Sequence, residues 1–234
     1  QCGSPLLSQW LSAFSFRLML YWLKGAIKLQ IPFKIHSKSV WFFAKSQRIS
    51  RIIFILLTEV LENIMSEKKC VNIAILTVSD TRTEADDKSG QVLVDRVQAA
   101  GHHLVEKKII KDEIDLLQEQ LKKWIASPDV DVVIATGGTG VTGRDITPEA
   151  FEELYEKEIP GFGELFRMLS FESIGTSSLQ SRCTAGVANG TFLFALPGST
   201  GACKDGWDQI LIHQLDSTHK PCNLVELMPR LLEK

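Results

Sequence analysis

Apolar runs of strand length alternate with amphipathic segments of helix length along the chain from residue 65 onward. Near-continuous apolar runs are typical of parallel strands covered on both faces, and apolar residues spaced by three, four and seven are typical of helices with one buried face. The predicted strands are 71–78, 104–110, 131–135 and 191–196. The predicted helices are 89–100, 114–125, 147–158, 162–172, 179–188 and 202–215. This alternation indicates a three-layer α/β/α fold, in which helices cover both faces of a mainly parallel sheet.

Several of the predicted helices carry recognisable boundary residues. Gly101 stands where a left-handed residue would close the first helix, and Asp112 stands where an N-cap would open the second. Thr147 and Pro148 are expected at the N-cap and first position of the third helix, which Pro160 would stop. With no internal repeat or low-complexity linker, residues 65–234 are expected to form one domain.

The richest candidate site lies where the predicted strands end, because open parallel sheets bind ligands beyond the carboxyl ends of their strands. Four loops are predicted there: 79–82, 111–113, 136–140 and 197–201. The third reads Thr136-Gly137-Gly138-Thr139-Gly140. Its glycines let the backbone approach a ligand with positive φ, and its two threonine hydroxyls can hydrogen-bond an anion. We interpret it as a phosphate-binding loop, beside which Asp145 is suited to hold a Mg²⁺ ion that bridges phosphates.

The same glycines match the GxGxxG pattern of dinucleotide-binding folds, from Gly138 to Gly143. In those folds the helix begins within the glycine motif, so that pyrophosphate rests on the helix N-terminus. Here the boundary residues place the helix start at Thr147, beyond the last glycine. The context therefore argues against a dinucleotide site.

Each candidate polar residue also has an ordinary structural interpretation. Asp112 could simply cap a helix, Asp145 could close a local turn, and Asp80 is open to the same doubt. Ser199 and Thr200 could be either a routine cap or part of an anion site at a helix N-terminus. The functional interpretation is favoured because three carboxylates from separate loops fall at the same edge of the predicted sheet.

Residues 1–64 differ in character from the rest of the chain. They carry eight Lys and Arg against two acids, whereas the remaining 170 residues carry a net charge of −8. Their longest apolar stretch, 6–23, is interrupted by Arg17, which argues against a transmembrane helix. We expect an extension translated from upstream sequence or introduced by cloning, with Met65 as the natural start; a cleavable or anchoring presequence is the alternative.

The five cysteines are widely spaced and form no CxxC pair. This argues against a disulfide framework and against structural zinc, and it fits a reducing compartment such as the cytoplasm. The net charge of −2 is ordinary for a globular domain. We expect neither nucleic acid nor a membrane as a partner.

Six motifs, taken in order, resemble the MoaB/MogA family of molybdenum cofactor biosynthesis proteins, and the resemblance covers residues 70–225. The motifs are ILTVSD (75–80), IIKDE (109–113), TGGTGVTGRDITPEA (136–150), EIPGFGELFR (158–167), SLQSRCTAGV (178–187) and FALPGSTGAC (194–203). The serine-rich stretch 170–177 and the ending 220–223 look more like the MoaB branch. Residues 1–64 have no counterpart in the family.

The resemblance implies transfer of AMP from ATP to molybdopterin with Mg²⁺, giving adenylyl-molybdopterin and pyrophosphate. Asp112 and Asp145 match the two aspartates associated with catalysis in this family, and we assign them to Mg²⁺ and to positioning of the α-phosphate. Residues expected at the substrates are Ser79, Asp80, Thr136, Gly137, Gly138, Thr139, Gly140, Pro197, Gly198 and Ser199.

The resemblance leaves one functional alternative, a non-catalytic protein of the same pathway that binds or carries molybdopterin. It also implies a homotrimer or homohexamer, with other enzymes of the pathway as further partners. Four apolar side chains in the segment 162–171 are candidates either for such an interface or for the internal core: Phe162, Phe166, Met168 and Phe171.

Overall fold

The computed structural model describes residues 68–233. The expected boundary at residue 65 and the nature of residues 1–64 lie outside this range. Six strands are present: β1 (Asn72–Val78), β2 (His103–Ile110), β3 (Val132–Thr136), β4 (Lys157–Glu158), β5 (Thr184–Ala188) and β6 (Thr191–Leu196). The helices are α1 (Lys88–Ala99), α2 (Ile114–Ile125), α3 (Thr147–Glu152), α4 (Pro160–Ile174), α5 (Thr200–Gly206) and α6 (Ile212–Gln214). A π-helical turn, Trp207–Leu211, joins α5 to α6, and 3₁₀ helices occupy Gly175–Gln180 and Met228–Arg230.

The strands form one mixed sheet in the order β2-β1-β3-β6-β5-β4. β1 pairs in parallel with both β2 and β3, and β3 pairs in parallel with β6. β5 runs antiparallel to β6 and to β4 at the other edge. The prediction of a mainly parallel sheet is confirmed, and its four parallel strands all end at the same side.

Helices cover both faces of the sheet, which confirms the three-layer prediction. Alternate residues of a strand point to opposite faces, so each strand contributes to two separate cores. On one face Ile75 and Ile134 pack with residues of α1, α4 and the segment that follows α5, including Trp207. On the other face Leu76 packs with residues of α2 and α3. Within residues 68–233, no helix has the length and apolarity needed to cross a bilayer.

Two predicted helices were wrong in the part of the chain that forms the antiparallel edge. The helix predicted over 147–158 ends at Glu152, and residues 157–158 form β4 instead. The backbone there pairs with β5, since Glu156 N donates to the carbonyl of Val187 at 2.8 Å. The helix predicted over 179–188 is the end of a 3₁₀ helix followed by β5.

The missed strand carried a sequence signal of its own. β5 and β6 are joined by Asn189-Gly190, whose φ angles are 45° and 82°. Asn-Gly between two apolar segments is a strong indicator of a tight hairpin, because both residues tolerate positive φ. The prediction of a helix over 179–188 overlooked this turn, which joins β5 and β6 as a hairpin.

Candidate active site

The four loops that follow the parallel strands converge at one edge of the sheet, as predicted. Thr136 ends β3 and Leu196 ends β6 in register with each other, so the glycine-rich loop (137–140) and the loop 197–199 leave the sheet side by side. The carbonyl of Leu196 accepts a hydrogen bond from Gly137 N at 3.0 Å. The parallel pairing thus brings together two loops separated by sixty residues of chain.

The carbonyl groups of the glycine-rich loop all point to one side. Gly137 O and Gly138 O accept hydrogen bonds from Oγ1 and N of Thr147, at 2.8 and 3.0 Å. The next two carbonyls, of Thr139 and Gly140, accept from N and Nε of Arg182, at 2.9 and 2.6 Å. In a trans peptide the N–H points opposite to the C=O, so this arrangement turns the N–H groups of the loop the other way.

Two of these N–H groups are available to a ligand. No residue within 68–233 accepts a hydrogen bond from the N–H of Gly138 or Thr139. Gly137 and Gly138 have φ of 108° and 63°, and a Cβ at either position would clash with the carbonyl of Val78 or the hydroxyl of Thr147. Successive N–H groups in such a conformation form a concave site for an anion. The glycines are therefore needed for the shape of the loop.

Asp112 and Asp145 each lie close to a glycine of this loop. A Cβ at Gly138 would lie 2.9 Å from Oδ1 of Asp112, and one at Gly140 would lie 2.7 Å from Oδ2 of Asp145. Both carboxylates are therefore in close contact with the backbone that would hold an anion. The prediction that they come to the same edge is confirmed.

Asp112 does not cap α2, contrary to its ordinary interpretation. The N-cap is Glu113, and no side-chain hydrogen bond closes that end of the helix. The pKa of Asp112 is raised by burial and by the negative charge of Asp80, with a further contribution from Asp145. This carboxylate therefore lies in an environment that a cation would stabilise.

Asp145 does close a local turn. Its Oδ2 accepts hydrogen bonds from N and Oγ1 of Thr142, at 2.9 and 2.6 Å. Burial raises the pKa of Asp145, but these bonds, the N–H of Gly140 and the charge of Arg182 outweigh it, so that the pKa is lowered. Asp145 is therefore held ionised, and a carboxylate has lone pairs left for a second partner.

Asp80 is neutralised by an exposed arginine. Nε and Nη2 of Arg144 donate to its two carboxylate oxygens at 2.7–3.0 Å, and this hydrogen bonding lowers the pKa of Asp80. Together with Ser79, Asp80 lines a separate recess of about 440 Å³ that also contains Arg82 and Lys111. These two predicted substrate residues thus face a different space from the glycine-rich loop.

The loop after β6 offers a further donor at the mouth of the site. Ser199 is the N-cap of α5, and its Oγ accepts from Ala202 N at 3.1 Å, which confirms the capping interpretation. Its hydroxyl proton stays available for an anion, because the cap uses only a lone pair. Nη2 of Arg82 donates to Gly198 O at 2.6 Å and fixes this loop from the side of β1.

Thr136 corrects one sequence expectation. It is fully buried, and its hydroxyl donates to the carbonyl of Pro197 at 3.0 Å. It also contacts the Cys203 sulfur at 3.1 Å. Its side chain therefore supports the loop after β6, and only Thr139 of the two threonines remains a candidate for direct contact with an anion.

A cavity of about 720 Å³ opens between the two loops and the end of α4. Six predicted binding residues line one wall of this cavity: Gly138, Thr139, Gly140, Pro197, Gly198 and Ser199. The residues of the opposite wall were not predicted from the sequence. That wall carries the amide of Gln180 and five serine hydroxyl groups, from Ser170, Ser173, Ser177, Ser178 and Ser181. The serine-rich stretch 170–177 was a usable signal, because such a run on the last turns of a helix is unusual for a core-facing segment.

Comparisons with known proteins give this geometry a context. A family model described as a probable molybdopterin binding domain matches residues 74–217. Molybdenum cofactor biosynthesis protein B of Escherichia coli K12 is 57% identical over 151 residues, covering 64% of this chain and 89% of that protein. The protein of the same name from Bacillus subtilis is 45% identical over 146 residues, covering 62% and 86%.

Solved structures show the same fold. A crystal structure of a molybdenum cofactor biosynthesis protein B is 43% identical, with a TM-score of 0.61, and covers 63% of this chain and 92% of its own. The tungsten cofactor synthesizing protein MoaB from Pyrococcus furiosus is 39% identical, with a TM-score of 0.56, covering 61% and 91%. The matches thus extend over nearly the whole of each relative.

Proposed function

Because this chain belongs to the MoaB/MogA family of molybdopterin-binding domains, we propose that it transfers AMP from Mg-ATP to molybdopterin during molybdenum cofactor biosynthesis. The products would be adenylyl-molybdopterin and pyrophosphate. A role in the cofactor pathway follows from the family; the reaction itself is the proposal.

One observation carries the proposal: N–H groups of the glycine-rich loop that have no acceptor within residues 68–233 lie near two carboxylates, one with a raised and one with a lowered pKa. The N–H groups of Gly138 and Thr139 suit a phosphate, while Asp112 and Asp145 approach the same stretch of backbone. Phosphoryl transfer needs little covalent help from a protein; it needs reactants held in line and their charge compensated. This combination supports catalysis on phosphates better than binding of a neutral ligand.

We place the terminal phosphate of molybdopterin at the loop N–H groups and the Ser199 hydroxyl. The pterin would then extend into the 720 Å³ cavity, where serine hydroxyls and Gln180 offer hydrogen bonds to a polar ring system. A volume of this size lies within the range of about 300–1,000 Å³ that is typical of pockets for small molecules and cofactors. From the loop, the phosphate oxygen would attack the α-phosphorus of ATP.

The donor set fits a Mg²⁺ ion. This ion is usually held by one or two carboxylates together with substrate phosphates. No other side chain within residues 68–233 donates a hydrogen bond to Asp112, and burial together with the negative charge of Asp80 raises its pKa despite the opposing charge of Arg144. Asp112 and Asp145 would hold the ion, which supplies charge neutralisation at the α-phosphate.

One observation favours the non-catalytic alternative. Oδ2 of Asp145 is already used by two hydrogen bonds from Thr142, which is enough to explain the residue as part of a turn. A protein that only carries molybdopterin would need the loop and the cavity but neither aspartate. The two functions therefore differ in what they require of Asp112 and Asp145.

The experiment is a pyrophosphate-release assay on the full chain with molybdopterin, ATP and Mg²⁺. We expect turnover by the wild type and a loss of about 100-fold or more in Asp112→Asn and Asp145→Asn. Asp129→Asn is the matched control, because Asp129 is exposed before β3, at the opposite end of the sheet. Wild-type protein that binds molybdopterin but releases no pyrophosphate would instead support the carrier function.

We also propose a homotrimer or homohexamer, as the family resemblance implies. The four apolar candidates divide in two: Phe162 and Phe166 are buried in the core, whereas Met168 and Phe171 are 59% and 57% exposed. Leu165, Ile174 and Leu179 are exposed nearby. Exposed apolar residues grouped in this way are typical of an interaction surface.

A further inference from the structure

Arg182 holds the glycine-rich loop and the turn of Asp145 at the same time. It lies between the 3₁₀ helix and β5, about forty residues beyond the loop. Its N and Nε donate to Thr139 O and Gly140 O, as described above, and its Nη2 donates to Asp145 O at 2.6 Å. One residue therefore fixes both ends of the segment 140–145.

The remaining guanidinium nitrogen is oriented by an acid. Nη1 of Arg182 forms an ion pair with Oε1 of Glu149 on α3, and this hydrogen bond lowers the pKa of Glu149. All three guanidinium nitrogens are thus engaged by protein groups. Arg182 is also absent from the walls of the 720 Å³ cavity, so its charge does not face the proposed phosphate directly.

We propose that Arg182 is a positioning residue for this site: it fixes the turn 140–145 against the end of the glycine-rich loop and thereby sets the place of Asp145. The inference rests on the proposed function for the identity of the ligand, but its structural part concerns the loop alone. The backbone N–H of Arg182 holds Thr139 O, whereas its side chain holds Gly140 O and Asp145 O. Without the side chain, both ends of the turn that carries Asp145 lose a hydrogen bond and can move relative to the loop.

Only an arginine fits this arrangement. Its planar guanidinium presents several N–H donors in fixed directions, so it can bind two carbonyls and a carboxylate at once. A lysine at this position carries its three N–H donors on a single nitrogen, so it does not reproduce the separate, fixed directions in which Nε, Nη1 and Nη2 of Arg182 meet their acceptors. Arg182→Lys therefore keeps the positive charge but removes the fixed directions of the guanidinium donors.

Hydrogen–deuterium exchange on the ligand-free full chain tests the structural part. We expect Arg182→Ala to accelerate exchange of amides within 137–146 by at least ten-fold, with Arg182→Lys intermediate. Arg96→Ala is the matched control, because Arg96 on α1 forms a bidentate ion pair with Asp208 of the π-helical turn and makes no hydrogen bond to the loop. Loop exchange as slow in Arg182→Ala as in Arg96→Ala would overturn the proposal.

Kinetics and binding test the functional part. We expect kcat for pyrophosphate release to fall about 100-fold in Arg182→Ala, and molybdopterin to bind more weakly. Added methylguanidinium should restore part of the rate in Arg182→Ala but none in Asp145→Asn, which a general loss of stability would not produce. Absence of rescue together with wild-type loop exchange would contradict positioning.

The two proposals fail in different ways. If wild-type protein releases no pyrophosphate, the adenylyltransferase proposal fails, while loop exchange and molybdopterin affinity still decide the role of Arg182. If Arg182→Ala does not fold, Arg182→Lys serves for every measurement, since it keeps the charge and the backbone N–H. Wild-type exchange and affinity in Arg182→Lys would then overturn the inference.

Discussion

The backbone N–H of Asp112 donates to Oδ1 of Asp80 at 3.3 Å and so joins the loop after β2 to the loop after β1. Arg144 compensates the charge of Asp80 and lowers its pKa. Asp112 has no such partner within residues 68–233, and burial and Asp80 together raise its pKa. The two aspartates therefore differ in role. Asp80 holds the loops together through its hydrogen bonds, and Asp112 is the carboxylate that is available to bind a cation.

We predict that Asp112→Asn stabilises the protein while it lowers turnover by about 100-fold or more. A raised pKa in the folded state means that ionised Asp112 opposes folding at every pH above its usual value of 3.8. Removing the charge should raise the melting temperature at pH 7, and the gain should vanish well below pH 3.8, where the carboxyl is protonated in both states. Thermal unfolding at several pH values measures this; Asp129→Asn should show no such gain. A lower melting temperature for Asp112→Asn at pH 7 would contradict it.

Two acids that share one lysine should differ widely in their contribution to stability. Lys107 Nζ lies 3.0 Å from Asp87, whose side chain is fully buried, and 2.8 Å from Glu84, whose side chain is 69% exposed. We expect Asp87→Ala to cost about 3–5 kcal/mol in the free energy of unfolding, because it breaks a buried, hydrogen-bonded pair. Glu84→Ala should cost less than about 1 kcal/mol. Urea denaturation compares them, and equal losses would refute the distinction.

The contribution of Asp87 should also depend on pH. Burial raises its pKa, but hydrogen bonds from Gly90, Lys107 and Thr77 outweigh this effect, so the net pKa is lowered. A lowered folded-state pKa gives stability that is present above the usual value of 3.8 and is lost as pH falls through the folded-state value. The difference between wild type and Asp87→Ala should therefore shrink in strong acid. A difference that stays constant between neutral and strongly acidic pH would show that charge is not involved.

Three glycines of the segment 138–143 should respond differently to alanine. Gly138→Ala and Gly140→Ala place a methyl group against Asp112 and Asp145, whereas a Cβ at Gly143 meets nothing within 4 Å. We expect the first two to lower the rate of pyrophosphate release by about 100-fold, because displacement of a catalytic group by 1 Å can cost that much. Gly143→Ala should keep the wild-type rate. Equal rates in all three variants would show that the loop tolerates displacement.

Charging the exposed part of α4 should disrupt the proposed assembly. Phe171→Asp places a carboxylate among exposed apolar side chains, so we expect a smaller mass by light scattering than for the wild type. Leu232→Asp is the control, because Leu232 is equally exposed but lies at the carboxyl end, far along the chain. An unchanged mass in Phe171→Asp would exclude this face from the interface.

Much of the fold could be predicted from local patterns. The parallel strands β1, β3 and β6 match continuous apolar runs to within a residue, because burial on both faces leaves a strong and local signal. The edge strand β2 also agrees with its prediction to within a residue, although it is only partly buried and contains Glu106, Lys107 and Lys108. The antiparallel edge could not be predicted in the same way. β4 has two residues and β5 has five, and short segments of this kind acquire their structure from the strand beside them.

The sequence by itself determined the fold class, the glycine-rich loop and the convergence of three aspartates, because strand direction and glycine backbone freedom are local properties. Tertiary structure alone decided what each side chain contacts. In the folded chain Thr136 donates to a carbonyl of the loop after β6, and Asp112 is not the N-cap of α2. Arg182 donates to the carbonyl of Asp145. Such contacts join residues tens of positions apart, and their distances depend on how the layers pack, which no spacing along the chain encodes.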